Sequence, residues 1–159
     1  MIVDAILRNL RADGRKLIFA ESLTGGLLVD AFVSVAGASD VVLGSEVTYA
    51  SELKVALLGV DEDAIEKFGV VSAEVATQMA QGVCAVGQGS TELPAGKVLA
   101  LSTTGNAGPD GEPVGLVFIA LHDGKKNKVR RLNLIGSRQE IREQSVAQAI
   151  DLLREHLDL

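Results

Sequence analysis

The chain has 159 residues, of which 47% are hydrophobic and only 3% aromatic, so it suits one domain whose core is built from aliphatic side chains. A net charge of −6 argues against a nucleic-acid phosphate backbone as the main partner, because such binding rests on clustered Lys and Arg. A single cysteine, Cys84, excludes an intrachain disulfide framework. The N-terminal pattern is not that of a signal peptide, and no charge-free apolar run reaches about 18 residues, so a cytoplasmic chain with no membrane contact is expected.

Ile2, Val3, Ile6, Leu7 and Leu10 recur at helical spacing and predict a first helix that ends at Gly14. Leu17 to Ala20 reads as a buried strand. The polar segment Glu21-Ser22-Leu23-Thr24-Gly25-Gly26 follows, then a helix running to Gly37. Val41 to Tyr49 is rich in β-branched residues and predicts a second strand. Ser51, Asp61 and Ser72 are each placed to cap a helix, over 52–58, 62–68 and from 73 onward. Residues 87–96 read as a loop.

Val98 to Ser102 predicts a buried strand and Thr103 to Gly115 a second glycine loop. Leu116–Leu121 and Lys128–Ile135, joined across Asp123-Gly124, predict a β-hairpin. Ser137 with Glu140 forms a capping box for the last helix. Alternating helices and strands, with one late hairpin, predict a single α/β domain over 1–159. The expected architecture is a three-layer α/β/α sandwich on a mixed, mostly parallel sheet. Ligands of such sheets gather at the carboxyl ends of the strands. Three loops leave those ends, at 21–26, 49–54 and 103–115.

Ser22 lies between a strand and a helix. It is either a nucleophile, with the amides around Thr24, Gly25 and Gly26 receiving an oxyanion, or, like Thr24, an ordinary helix cap. A Ser-His-Asp triad is poorly supported: His156 is expected in solvent and His122 beside a turn, and no G-x-S-x-G elbow is present. Lys54, in the first turn of its helix, is a better base, because burial and the positive helix end both lower an ammonium pKa. Tyr49, the only tyrosine, could relay a proton or orient the serine. For Lys54 and Tyr49 the plain alternatives are a solvated lysine and an ordinary strand tyrosine.

Thr104 and Gly105 open a loop that lacks the lysine of a Walker loop and the spacing of a dinucleotide fingerprint. Either it contacts a ligand or it is only a turn. Arg138 and Arg142, one helical turn apart, form a phosphate clamp or pair with Glu140 and Glu143 on a wet face. No metal-ligand cluster is apparent.

The order of the motifs is specific where each alone is weak. AESLTGG, TYASELK, FGVVSAEVATQMAQG, TGNAGPDGEPVG and GSRQEIR together resemble the CinA C-terminal domain along nearly the whole chain. The resemblance implies a three-layer α/β/α fold and a homodimer or larger homo-oligomer. It also implies a cofactor-free, metal-free deamidase that hydrolyses the carboxamide of nicotinamide mononucleotide. It assigns the catalytic roles to Ser22, Tyr49 and Lys54. Ribose and phosphate contacts are expected from Thr104, Gly105 and Arg138 or Arg142. Leu23, Ala50, Ser51 and Asn106 depart from the family pattern, and the loop after Pro109 is shortened. A silent relative that binds a nucleotide or a protein is the alternative, as is an amidase acting on another small amide.

Overall fold

The computed structural model describes all residues, Met1–Leu159. Its elements in chain order are α1 (Ile2–Ala12), β1 (Lys16–Glu21), α2 (Leu27–Val33), β2 (Val42–Val47), α3 (Ser51–Leu58), α4 (Glu62–Phe68), α5 (Ala73–Gly89), β3 (Val98–Gly105), β4 (Leu116–His122), β5 (Asn127–Asn133) and α6 (Arg138–His156). A short 3-10 turn, Ala38–Asp40, precedes β2. No helix is long and apolar enough to cross a membrane.

The strands form one mixed sheet in the order β2-β1-β3-β4-β5. β1 pairs in parallel with β2 and β3, whereas β3/β4 and β4/β5 are antiparallel. Parallel pairing therefore covers half of the sheet rather than most of it. The cause lies in the connections. Residues 106–115 contain no crossover helix and 123–126 form a tight turn, and such links join antiparallel neighbours.

Strand alternation sorts the sheet's two faces. Leu17, Phe19, Leu99, Leu101, Val117, Ile119 and Leu121 pack against α1, α2 and α6 in one large cluster. Phe19 packs against Phe32 of α2 in a tilted arrangement, with ring centroids 5.1 Å apart. The alternate residues Ile18, Ala20, Val98 and Ala100 face α5 and the ends of α3 and α4, through Leu58, Val60, Val75, Met79, Val83 and Cys84. This face is thin, and where α5 crosses β4 the contact consists of Ala76, Ala80 and Ala120. The result is the three-layer sandwich expected from the pattern.

Local signals hold at most helix ends. Asp61 and Ser72 accept from the amides of Asp63 and Val75, and Ser137 with Glu140 makes the full capping box. Other boundaries differ from expectation. Ser51 does not cap α3: Ala50 holds the extended cap position, so Ser51 already lies inside the first turn. α2 ends at Val33, α5 continues to Gly89, and β3 continues to Gly105 because its ladder with β4 runs that far.

Gly82 fixes where α3 sits. A Cβ there would lie 1.9 Å from the Leu58 carbonyl oxygen, backbone that cannot swing aside. A Cβ on Gly89, in the same helix, meets nothing within 4 Å. Gly82→Ala is therefore expected to lower unfolding stability by about 1–3 kcal/mol through overpacking. Gly89→Ala should leave it unchanged or raise it by about 0.5–1 kcal/mol. Urea titration of the two variants checks this, and equal midpoints would show that α3 does not depend on the close approach.

Candidate active site

The carboxyl ends of β1, β2 and β3 lie at one edge of the sheet, and there the alternation continues with polar residues. Glu21 follows Leu17 and Phe19 onto the α2 face, while Ser22 follows Ile18 and Ala20 onto the α3 face. On β3, Thr103 points with Leu101 toward α2, and Thr104 points with Ala100 to the other side. Ser22 prolongs the ladder, its amide donating to the Thr103 carbonyl at 3.1 Å. Lys54, from the first turn and a half of α3, is fully buried. Its Nζ donates to Ser22 Oγ at 2.9 Å, to the Thr48 carbonyl at 2.6 Å and to the Tyr49 carbonyl at 3.1 Å. Burial lowers its pKa from 10.5 to about 8. Ser22 and Lys54 are thus brought together, and the plain readings of a helix cap and a solvated lysine fail.

The loop that carries Ser22 is held by a residue the sequence reading missed. Glu21 is fully buried, and its carboxylate accepts from the Thr24 and Ser45 hydroxyls and from the amides of Gly26, Leu28 and Val29, at 2.7–3.2 Å. It neutralises the N-terminus of α2, where neither Ser22 nor Thr24 serves as cap. The Thr24 hydroxyl lies 2.9 Å from that of Thr103 and is structural rather than substrate-facing. The Gly25 amide donates to the Ser22 carbonyl at 3.1 Å and the Gly26 amide to Glu21 at 3.2 Å. Neither is free to receive an oxyanion, against the expectation. A lone acid closing an apolar strand, just before a helix start, was the available signal for Glu21.

Arg142 also departs from expectation. It does not line the cavity over Ser22. Its Nε donates to the Leu23 carbonyl at 2.7 Å, Nη2 to the Thr24 carbonyl at 3.3 Å and Nη1 to Gln139 at 2.8 Å. Gly25, at φ +57°, permits this approach: a Cβ there would lie 3.2 Å from Nη2. Arg138 does reach the cavity, donating to the Gly108 carbonyl and, at 3.0 Å, to the Tyr49 hydroxyl. That hydroxyl meets Arg138, not Ser22 or Lys54. Tyr49 is 62% exposed and forms part of the cavity's rim.

The cavity holds about 240 Å³ and is lined by Ser22, Leu23, Tyr49, Lys54, Thr104, Gly105 and Arg138 among others. Neither histidine lines it; His122 is paired with Asn127 at 2.7 Å. His156 is not the solvated residue expected, since burial lowers its pKa and its Nδ1 has no partner. Thr104 donates to the Val70 carbonyl at 2.9 Å, tying the end of β3 to the 69–71 segment. Gly105 is required by its closeness to β4, since a Cβ would lie 2.6 Å from Val117 Cγ2. Across Val70, Val71, Gly105 and Asn106 the cavity adjoins a depression of about 650 Å³ whose charged residues are Asp110 and Glu112.

Lys54 makes a test of burial possible. Its folded pKa lies below its unfolded value, so between pH 8 and 10.5 the unfolded chain binds more protons and stability rises with pH. Replacing the lysine removes this rise. The stability of the unaltered protein relative to Lys54→Met should increase by up to about 3 kcal/mol across that range. Denaturant titrations at several pH values check it, and parallel curves would mean that Lys54 is not desolvated.

Comparisons with known proteins accord with the fold and motifs. The family model for the CinA C-terminal domain matches residues 1–157. A CinA-like protein of Syntrophomonas wolfei is 42% identical over 160 residues, covering 98% of this chain and 36% of that protein. A CinA-like protein of Kosmotoga olearia is 39% identical, covering 97% and 36%. The chain thus spans about a third of the length of these curated relatives. Among solved structures, the competence damage-inducible protein A of Klebsiella pneumoniae superposes with a TM-score of 0.89 at 28% identity, over 99% of this chain and 95% of that one. The competence/damage inducible protein CihA of Agrobacterium tumefaciens gives 0.84 at 31% identity, over 100% and 97%. The chain belongs to the CinA C-terminal domain family.

Proposed function

We propose that this protein is a serine amidohydrolase that converts nicotinamide mononucleotide to nicotinate mononucleotide and ammonia. The observation that carries the reading is the buried contact of 2.9 Å between Lys54 Nζ and Ser22 Oγ. A neutral amine has two N–H donors and one lone pair. The carbonyls of Thr48 and Tyr49 accept the two donors, which turns the lone pair toward the Ser22 hydroxyl. Lys54 then serves as general base.

The serine proton passes to Lys54 as Oγ bonds to the carboxamide carbon, and the carbonyl π pair moves onto oxygen. Collapse of this intermediate breaks the C–N bond, and Lys54 returns the proton to the departing ammonia. Water, losing a proton to the same lysine, then attacks the acyl carbon; the C–Oγ bond breaks and Lys54 returns that proton to Ser22 Oγ. The carboxamide fits the 240 Å³ cavity beside Ser22, and the ribose extends over Gly105. Arg138 is the cation at the rim and takes the phosphate, whereas Asp110 and Glu112 make the larger depression unfavourable to it. Tyr49 holds the Arg138 guanidinium and supplies a carbonyl to Lys54.

The test is ammonia release from nicotinamide mononucleotide by the purified protein and by Ser22→Ala. Release is expected from the first only. Its kcat/KM should climb about tenfold per pH unit and level off above the Lys54 pKa of about 8, since only neutral Lys54 acts as base. No release from folded protein overturns the substrate; release retained by Ser22→Ala overturns the nucleophile.

A further inference from the structure

We propose that Arg142 is a positioning residue that builds the oxyanion hole from the amides of Leu23 and Thr24. The proposal rests on the serine-amidohydrolase reading. Four amides follow Ser22 in the loop, and two of them are already engaged, that of Gly25 with the Ser22 carbonyl and that of Gly26 with Glu21. The amides of Leu23 and Thr24 donate to no acceptor in the chain, although both residues are buried. Buried amides are rarely left without an acceptor, so two together beside a nucleophile mark a place for incoming negative charge.

Their directions are fixed from behind. In a planar trans peptide the N–H points opposite to the C=O. The Ser22 carbonyl is held by the Gly25 amide, which sets the Leu23 N–H. The Leu23 carbonyl is held by Arg142 Nε at 2.7 Å, which sets the Thr24 N–H. Arg142 Nη2 grips the next carbonyl, that of Thr24, at 3.3 Å. Glu21 holds the loop's later donors, while the Gly25 amide holds the Ser22 carbonyl, Arg142 the Leu23 carbonyl, and Arg142 with the Leu27 amide the Thr24 carbonyl, so the peptide planes between them cannot rotate independently. Pairing the Leu23 carbonyl with a cation also draws electron density from the peptide unit it shares with Thr24, which strengthens the Thr24 N–H as a donor beside that of Leu23. When Ser22 Oγ bonds to the amide carbon, the new oxyanion is received by these two amides. Arg142 itself touches neither substrate nor reacting atoms.

Arg138 and Arg142 thus divide the work that a clamp would share. The discriminating experiment measures kcat and KM of the unaltered protein, Arg142→Ala, Arg142→Lys and Arg138→Ala on nicotinamide mononucleotide and on its nucleoside. It also measures the rate at which a fluorophosphonate labels Ser22. Arg142→Ala is expected to lower kcat about 10²-fold on both substrates, the size of losing one oxyanion donor, with KM nearly unchanged. It should slow labelling similarly, because the phosphonyl oxygen needs the same donors. Arg142→Lys, which keeps a cation but with a single donor nitrogen, should recover part of both losses. Arg138→Ala should instead raise KM for the nucleotide alone.

A rise in KM confined to the nucleotide in Arg142→Ala would overturn the proposal in favour of phosphate binding. So would unchanged labelling in that variant. Labelling of Ser22 without turnover of either substrate sinks the substrate assignment, and the labelling rates then decide the proposal by themselves. Absence of labelling in the unaltered protein overturns both.

Discussion

A buried lysine surrounded only by neutral oxygens is the constraint on which this site depends. Lys54 Nζ meets two backbone carbonyls and one hydroxyl, with no carboxylate to balance an ammonium charge. Removing an ammonium from water is expensive unless it is paired, so the group lowers its pKa instead. Such a residue persists only where the surrounding backbone over-determines it. Here α3 is fixed from below by the Gly82–Leu58 contact and from above by the segment that follows β2, where the Thr48 and Tyr49 carbonyls accept the amine. The same elements would hold a leucine at position 54 with less free-energy cost.

The rest of the site follows from the two-residue period of a strand. Because consecutive side chains of β1 and β3 take opposite faces, each strand end delivers one residue to the α2 scaffold and one to the cavity side. Glu21 and Thr103 go toward α2 and are buried in hydrogen bonds with Thr24 and the α2 amides. Ser22 and Thr104 go toward α3 and the 69–71 segment, where the cavity lies. A one-residue slip in β1 would exchange the Glu21 carboxylate for the Ser22 hydroxyl. Parallel pairing of β1 with both neighbours and the large apolar cluster on the α2 face hold that register.

This division explains what could be read from the sequence and what could not. The elements themselves were available from apolar spacing, and the caps Asp61, Ser72 and Ser137 from residue type, because those signals are local. Ser22, Lys54 and Arg138 could be nominated because each stands at an element end in a recognisable motif. The tasks of Glu21 and Arg142 could not. Arg142 acts on Leu23 across 119 positions, and nothing in its own neighbourhood separates a loop brace from a phosphate clamp. Glycines 25 and 26 misled for a related reason. They suggest free amides near a ligand, yet Gly25 makes room for a guanidinium and the Gly26 amide is taken by Glu21. Sequence pattern places a polar atom but not its partner, and in a buried loop the partner decides its role.

The low polarity that depresses the Lys54 pKa also bears on the barrier of the proposed reaction. Before the attack, amine, hydroxyl and carboxamide are all neutral, so a site of low polarity does not penalise the ground state. As Oγ bonds to carbon, an ammonium and an oxyanion develop together within a few ångströms. Their attraction is little screened where water is excluded. The carbonyls of Thr48 and Tyr49 face the amine before and after proton transfer, so no dipole has to turn when the charge appears. An arrangement in which the opposing dipoles are already oriented is the kind of preorganisation that lowers a charge-separating barrier most. Above pH 8 the same site would be a poor one for a lone anion, because Lys54 is then mostly neutral and cannot balance it. Within the cavity, then, the chemistry favours a neutral amide as the reacting group, with any permanent negative charge left outside at Arg138.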